Sequence, residues 1–149
     1  MRVLSIDMPG RKIGGYVLWE GESLRDSGHL QEANDLLLHP EQGEVEDYRV
    51  LGTLLDRAHP HWVILERPFL FLIAQLIGAA KFWCMGHRIP WWQIQASTAK
   101  KAVIGHGRAS KPTVRAWALK HPLMQGRACS QHVADALLYL EAWKILSQR

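Results

Sequence analysis

Apolar residues along this chain fall into short runs and longer helical stripes. Val3 to Ile6 is a short apolar run that predicts a strand ending at Asp7. Met8-Pro9-Gly10 then reads as a turn, and Gly14-Gly15 precedes a second strand over Tyr16 to Trp19. Gly21 marks another turn, and a third short strand is expected near Ser27 to Gln31. Residues 39–47 are polar, contain Pro40 and Gly43, and read as a loop. Val45, Tyr48, Leu51, Leu54 and Leu55 then recur at helical spacing, predicting a helix from about Val45 to Ala58 that Pro60 ends.

Trp62-Val63-Ile64-Leu65 is unbroken and ends at Glu66, the pattern of a central strand buried on both faces. Phe69 to Met85 predicts a mostly buried helix, and Ile89 to Ile94 a further strand. Ser97-Thr98 is expected to cap a short helix through Ile104, before Gly105-His106-Gly107 opens a basic loop. Lys111-Pro112 starts a helix to about Lys120, with Pro early, where its missing N–H costs nothing. Ser130 is the expected N-cap of a last helix, Gln131 to Leu146. Hairpin strands followed by alternating helix and strand predict an α/β fold: a mixed five-stranded sheet flanked by helices.

The 149 residues suit one domain over 1–149, without repeat, linker or low-complexity segment. The longest apolar stretch, Phe69 to Ala80, is interrupted by Gln75 and is too short to span a bilayer, so no membrane is expected. The N-terminus lacks the pattern of a signal peptide, and two lone cysteines do not make a disulfide framework. Both point to the cytoplasm, or to a host's cytoplasm for a viral chain.

Charge changes the picture more. The formal net charge is +4, but residues 1–80 carry 7 Lys/Arg and 12 Asp/Glu (net −5), whereas residues 81–149 carry 11 and 2 (net +9). Between Glu66 and Asp135 there is no acid, and the interval holds Arg67, Lys81, Arg88, Lys100, Lys101, Arg108, Lys111, Arg115, Lys120 and Arg127. Such a half suits a polyanion, nucleic acid first.

Two acids, Asp7 and Glu66, close apolar strands, at the edge where α/β sheets bind ligands. Carboxylates there are costly to desolvate without a cation. A third, Asp135, lies on a mainly apolar helical face with His132, Ala136, Tyr139 and Trp143, so it should point towards the sheet. Asp7, Glu66 and Asp135 with His132 would make an oxygen-rich pocket of the type that suits Mg²⁺, with Mn²⁺ as a substitute. Two such ions can assist phosphodiester hydrolysis, so this pocket beside a basic segment indicates a metal-dependent nuclease. The competing metal reading is a Cys₂His₂ zinc site from Cys84/His87 and Cys129/His132, each spaced C-x-x-H. His59-Pro60-His61 reads as a solvated helix terminus.

The order of these pieces resembles the Holliday-junction resolvases of the RuvC type, within the RNase H-like nuclease superfamily. Ile6-Asp7-Met8-Pro9-Gly10 through Gly15-Tyr16 is similar to the family's first-strand motif, and Ile64-Leu65-Glu66 with Phe69 to its strand-four acid and following aromatic. Lys100-Lys101-Ala-Val-Ile-Gly105 with Lys111 resembles its two-lysine segment, and His132-Val-Ala-Asp135-Ala136-Leu137 its last-helix acid motif. Three departures stand out: Met8 adds a residue between Asp7 and Pro9, position 132 is His where the family commonly has an acid, and the helix after Glu66 looks shorter and more apolar than in the bacterial enzymes.

The resemblance implies an RNase H-like fold and a crossover junction endodeoxyribonuclease that resolves four-way DNA junctions by paired phosphodiester hydrolysis. Asp7, Glu66, His132 and Asp135 would hold two Mg²⁺ ions, and Lys100 and Lys111 would lie by the scissile phosphate. Phe69 would stack on an unpaired base, and Lys101, Arg108 and Arg115 would contact DNA. Two opposed cuts suit a homodimer. Leu70, Ile73, Leu76, Ile77 and Ala80 exceed what one buried stripe needs, which makes their helix the candidate interface; a wholly internal core helix is the alternative. Two other functions remain open: another RNase H-like nuclease acting on RNA or other branched DNA, and a non-catalytic nucleic-acid-binding protein.

Overall fold

The computed structural model describes residues 1–8, 14–30, 40–68 and 71–148. Its centre is a five-stranded sheet in the order β3-β2-β1-β4-β5. Strands β1 (Arg2–Asp7), β2 (Gly14–Glu20) and β3 (Ser23–Leu30) form an antiparallel meander, whereas β4 (Trp62–Glu66) and β5 (Trp91–Ile94) run parallel to β1. The described residues also form five α-helices: α1 (Pro40–Ala58), α2 (Phe71–His87), α3 (Ala96–Ile104), α4 (Lys111–Lys120) and α5 (Gln131–Leu146).

Strand alternation divides the core in two. Leu4, Ile6, Val63 and Leu65 face α1 and α2, whose Leu51, Leu54, Leu55, Ile73, Leu76 and Ile77 cover them. Val3, Val17, Ile64 and Ile94 face the other way, onto α3, α4 and α5. The central strands are therefore buried on both faces, which is why β4 is an unbroken apolar run. Leu137, on α5, has no exposed surface, and its truncation to Ala would cost about 2–5 kcal/mol. Helix α2 is tied to α1 by Trp83, whose Nε1–H donates to Asp56 Oδ1 at 2.8 Å.

The predicted strands and helices are all present, with shifted ends. The expected turn at Pro9-Gly10 and the strand residue Gln31 lie outside the described residues. Helix α1 begins at Pro40, so the expected 39–47 loop is helical from that residue; Pro at the first position already has helical φ and needs no N–H partner. Strand β3 starts at Ser23, four residues earlier than expected, because it pairs with β2 along its length through a register shift at Leu18/Trp19. Ser97-Thr98 does not cap α3: Gln95 occupies the N-cap without a side-chain bond. Gly105 closes that helix in the left-handed region at φ +99°, a conformation that favours glycine. Ser130 does cap α5, its Oγ accepting from the Val133 N–H at 3.3 Å.

The expected interface residues on α2 point inward. Ile73, Leu76, Ile77 and Ala80 are buried in the core beneath α1 and the sheet, while Leu70 lies outside the described residues. The outward face carries Ala74 and Gly78, with Phe82 79% and Met85 64% exposed. A zinc site joining the two C-x-x-H pairs does not form, because Cys84 lies in the core on one side of the sheet and Cys129 in that on the other.

Candidate active site

The register of the sheet builds the site. Ile6 of β1 lies beside Leu65 of β4 in a parallel pair, so the next residues, Asp7 and Glu66, end adjacent strands. Alternation turns both side chains to the α5 face. Asp7 is 7% exposed and Glu66 9%. The additional residue in the first motif, Met8, is buried in the opposite core, so alternation continues past Asp7 and the inserted side chain packs on the α1–α2 side.

Helix α5 supplies the rest, because glycine lets it approach. Gly15 of β2 pairs with Asp7. A Cβ at Gly15 would stand 2.5 Å from the His132 carbonyl carbon and 2.7 Å from the Val133 nitrogen, closer than real Cβ contacts allow. The first turn of α5 therefore rests directly on β2. His132 there donates its Nδ1–H to Asp7 Oδ2 at 2.9 Å. Asp135, half-buried one turn on, accepts from Gln131 Nε2 at 3.2 Å, and Tyr139 is buried one turn further along the helix.

This crowding shifts the acid–base balance. Glu66 is pushed up to about 7, first by burial and then by the charges of Asp7 and Asp135. Asp135 is raised to about 6, again by burial first and then by Asp7; Gln131 and Lys111 oppose this. Burial also raises Asp7 above the usual carboxylate range, against the pull of His132 and Lys111. The charge of Asp7 disfavours ionisation of Glu66, so the two strand-end acids resist ionising together. His132 is raised chiefly by its bond to Asp7.

Three crowded carboxyls that resist ionising together, beside one imidazole, are a donor set for a hard divalent cation. Among the described residues no three His, Cys, Asp or Glu side chains come together as a group that could hold a metal ion. A cavity of about 750 Å³ lies elsewhere, lined by Trp19, Trp62 and Trp143.

Of the remaining predicted residues, Lys111 begins α4 and acts electrostatically on Asp7, His132 and Asp135. Lys100 stands half-buried on α3, with Lys101, Arg108 and Arg115 exposed near it in the chain. Arg115 Nε–H donates to the Cys129 carbonyl at 3.2 Å, which links α4 to the loop before α5. Phe69 lies outside the described residues. Sequence reasoning placed Tyr139 on the Asp135 face without a role, and set Gly15 just ahead of the second strand without a packing contact.

No family model matches the chain. Individual relatives do. A crossover junction endodeoxyribonuclease RuvC from Alkalilimnicola ehrlichii is 31% identical, over 76% of this chain and 73% of its own length. The protein of the same name from Coxiella burnetii is 31% identical over 91% of this chain and 82% of that relative. The chain belongs to the RuvC family. Solved structures agree on the fold: Thermus thermophilus RuvC in complex with a Holliday junction substrate superposes with TM-score 0.76 at 19% identity, covering 99% of this chain and 95% of that one. The fowlpox virus Holliday junction resolvase does so with TM-score 0.65 at 13% identity, over 96% and 97% of the two chains. The sheet and helices described above are thus the RNase H-like fold of RuvC. Among the described residues, no helix of this RuvC-family chain is long and apolar enough to cross a membrane.

Proposed function

We propose that this chain is a divalent-metal-dependent endonuclease that resolves four-way DNA junctions. The observation that carries the reading is the crowded Asp7–Glu66–Asp135 cluster at the strand ends, bounded by a chain interval with ten basic residues and no acid. The relatives' name, crossover junction endodeoxyribonuclease, and the junction bound in the Thermus structure support the substrate. Such a substrate belongs to the cytoplasm, or to the host's for a viral enzyme.

Asp7, Glu66, Asp135 and His132 would hold two Mg²⁺ ions, for which Mn²⁺ can substitute. When bound, these ions supply positive charge that polarises the scissile phosphate and eases deprotonation of the attacking water. The protein's own groups do the rest. Ionisation of Glu66, opposed by burial and by the charge of Asp7, would free its carboxylate for the cation. His132 Nδ1–H on Asp7 fixes that carboxylate's orientation. Lys111, already coupled to the acids, places fixed positive charge where the pentacovalent phosphate develops, with Lys100 as its second lysine. Lys101, Arg108 and Arg115 bind the backbone, and Phe69 stacks on an unpaired base.

Paired cuts call for two such sites. The outward face of α2, with Phe82 and Met85 exposed beside small Gly78, is the surface through which two copies would join. The test of the substrate is competition at moderate salt between a four-way junction, plain duplex and an RNA hairpin. The junction is expected to win by at least tenfold. Equal affinity for duplex would overturn the junction reading, and preference for the hairpin would make the chain an RNA nuclease.

A further inference from the structure

The first turn of α5 is tied to the sheet at a second place, which the chemistry above does not use. Asp7 of β1 pairs with Gly15 of β2, and Gly15 pairs with His29 of β3, so the three form one row across the sheet and share the α5 face. The first turn of α5 sits on the middle of that row, where a Cβ at Gly15 would strike the backbone of His132 and Val133. Each end of the row reaches the helix with one hydrogen bond. On the β1 side, His132 Nδ1 bonds Asp7 Oδ2 at 2.9 Å. On the β3 side, His29 Nε2 and Ser130 Oγ lie 2.7 Å apart, a hydrogen bond between residues 101 positions apart in the chain. Ser130 Oγ also accepts from the Val133 N–H at 3.3 Å, so His29 is bonded to the cap of the helix that carries His132 and Asp135.

We infer that His29 is a positioning residue for the active site: through Ser130 it fixes the first turn of α5, and with it His132 and Asp135, against the sheet. The inference rests on the metal-site reading given above. The two tethers differ in what a cation would do to them. The tether at Asp7 uses an oxygen of a candidate ligand, which the cation would claim. The tether at Ser130 uses no candidate ligand, so it holds whichever carboxylate oxygens are taken. Gly15 makes such a hold necessary, because a glycine lets the helix come close but offers no side chain to grip it. His29 is exposed, so its loss removes a bond rather than a core contact. Outer partners that orient ligands commonly change metal affinity about 10–100-fold when removed. His29 acts through Ser130 and the helix rather than on a ligand directly, which puts its effect at the lower end of that range.

The test is Mn²⁺ titration by calorimetry on the full chain, on His29→Ala and on His29→Gln, whose side-chain amide can donate or accept in place of the ring nitrogen. His29→Ala is expected to bind Mn²⁺ about tenfold more weakly and to slow single-turnover cleavage at saturating junction. His29→Gln should recover most of both losses. The melting temperature in EDTA and the junction affinity in Ca²⁺ should match those of the parent in both variants. In a Ser130→Ala background His29→Ala should have no further effect on Mn²⁺ binding, because the oxygen it holds is gone. Unchanged Mn²⁺ affinity in His29→Ala would overturn the inference. So would an undiminished further loss in the Ser130→Ala background, or a lowered melting temperature without recovery in His29→Gln, which would make the bond merely structural. Weakened junction affinity in Ca²⁺ would also overturn it, since His29 would then be a phosphate contact. A parent chain that binds no Mn²⁺ would overturn the metal-site reading itself, and the inference with it.

Discussion

At the scale of single residues, the site is a set of acids held where acids are costly. Asp7 and Glu66 are nearly sealed, and the charge of Asp7 disfavours ionisation of Glu66. Asp7→Asn keeps the volume and a hydrogen-bond acceptor but removes the charge. It is expected to bind four-way junctions like the parent while losing cleavage in Mg²⁺; retained cleavage, seen as product on a denaturing gel, would remove Asp7 from the site. The same crowding sets a pH dependence. With Glu66 raised from 4.5 to about 7 and Asp135 from 3.8 to about 6, the folded chain holds protons that the unfolded chain has already released. His132, raised by Asp7, adds to the difference in the same direction. Stability in EDTA should therefore fall as pH rises from about 4 to about 7. Calorimetric melts should show this slope, and Mn²⁺ should stabilise most at the upper end, where the carboxyls have lost their protons. A melting temperature that climbs with pH over that window in EDTA would contradict the account.

At the scale of elements, one glycine sets the distance between helix and sheet. Gly15→Ala would drive a Cβ into the His132 backbone, so α5 must lift or β2 must bend. The expected cost is about 1–3 kcal/mol in chemical denaturation, with cleavage lost more than stability because His132 and Asp135 move off Asp7 and Glu66. Much of this arrangement was legible in the sequence. Two strands ending in acids, an isolated Asp on an apolar helical face, and Ser130 as a cap are all local patterns. Ends set by tertiary pairing were not: β3 extends because β2 offers a ladder, and α1 begins at Pro40 because Pro suits a first turn as well as a loop. Nor does any local pattern state that Gly15 meets His132, since that contact joins distant segments. Helix α2 shows the limit most clearly. It is apolar nearly all round, so periodicity gave no reason to choose its buried face, and the structure buries Ile73, Leu76 and Ile77 rather than Phe82 and Met85.

At the scale of the whole molecule, a net charge of +4 conceals a division of labour. The first part of the chain contributes two of the three acids, and the basic second part brings Lys111 to them. Lys111→Ala is expected to slow cleavage by about 10²-fold at saturating junction, measured in single turnover, because the fixed charge acts on the developing phosphate rather than on binding alone. If two copies join through α2, Phe82→Ser with Met85→Ser should shift sedimentation from dimer to monomer without lowering the melting temperature, since both side chains are exposed in the single chain. The central claim is paired, cation-dependent cutting of a branched DNA. It is tested most directly by a mobile four-way junction labelled on all four strands and incubated with the protein, with and without Mg²⁺. The account predicts nicks at symmetric positions on two opposed strands, present with Mg²⁺, absent in EDTA and absent from plain duplex. Cutting that persists in EDTA, or that makes no distinction between junction and duplex, would contradict it.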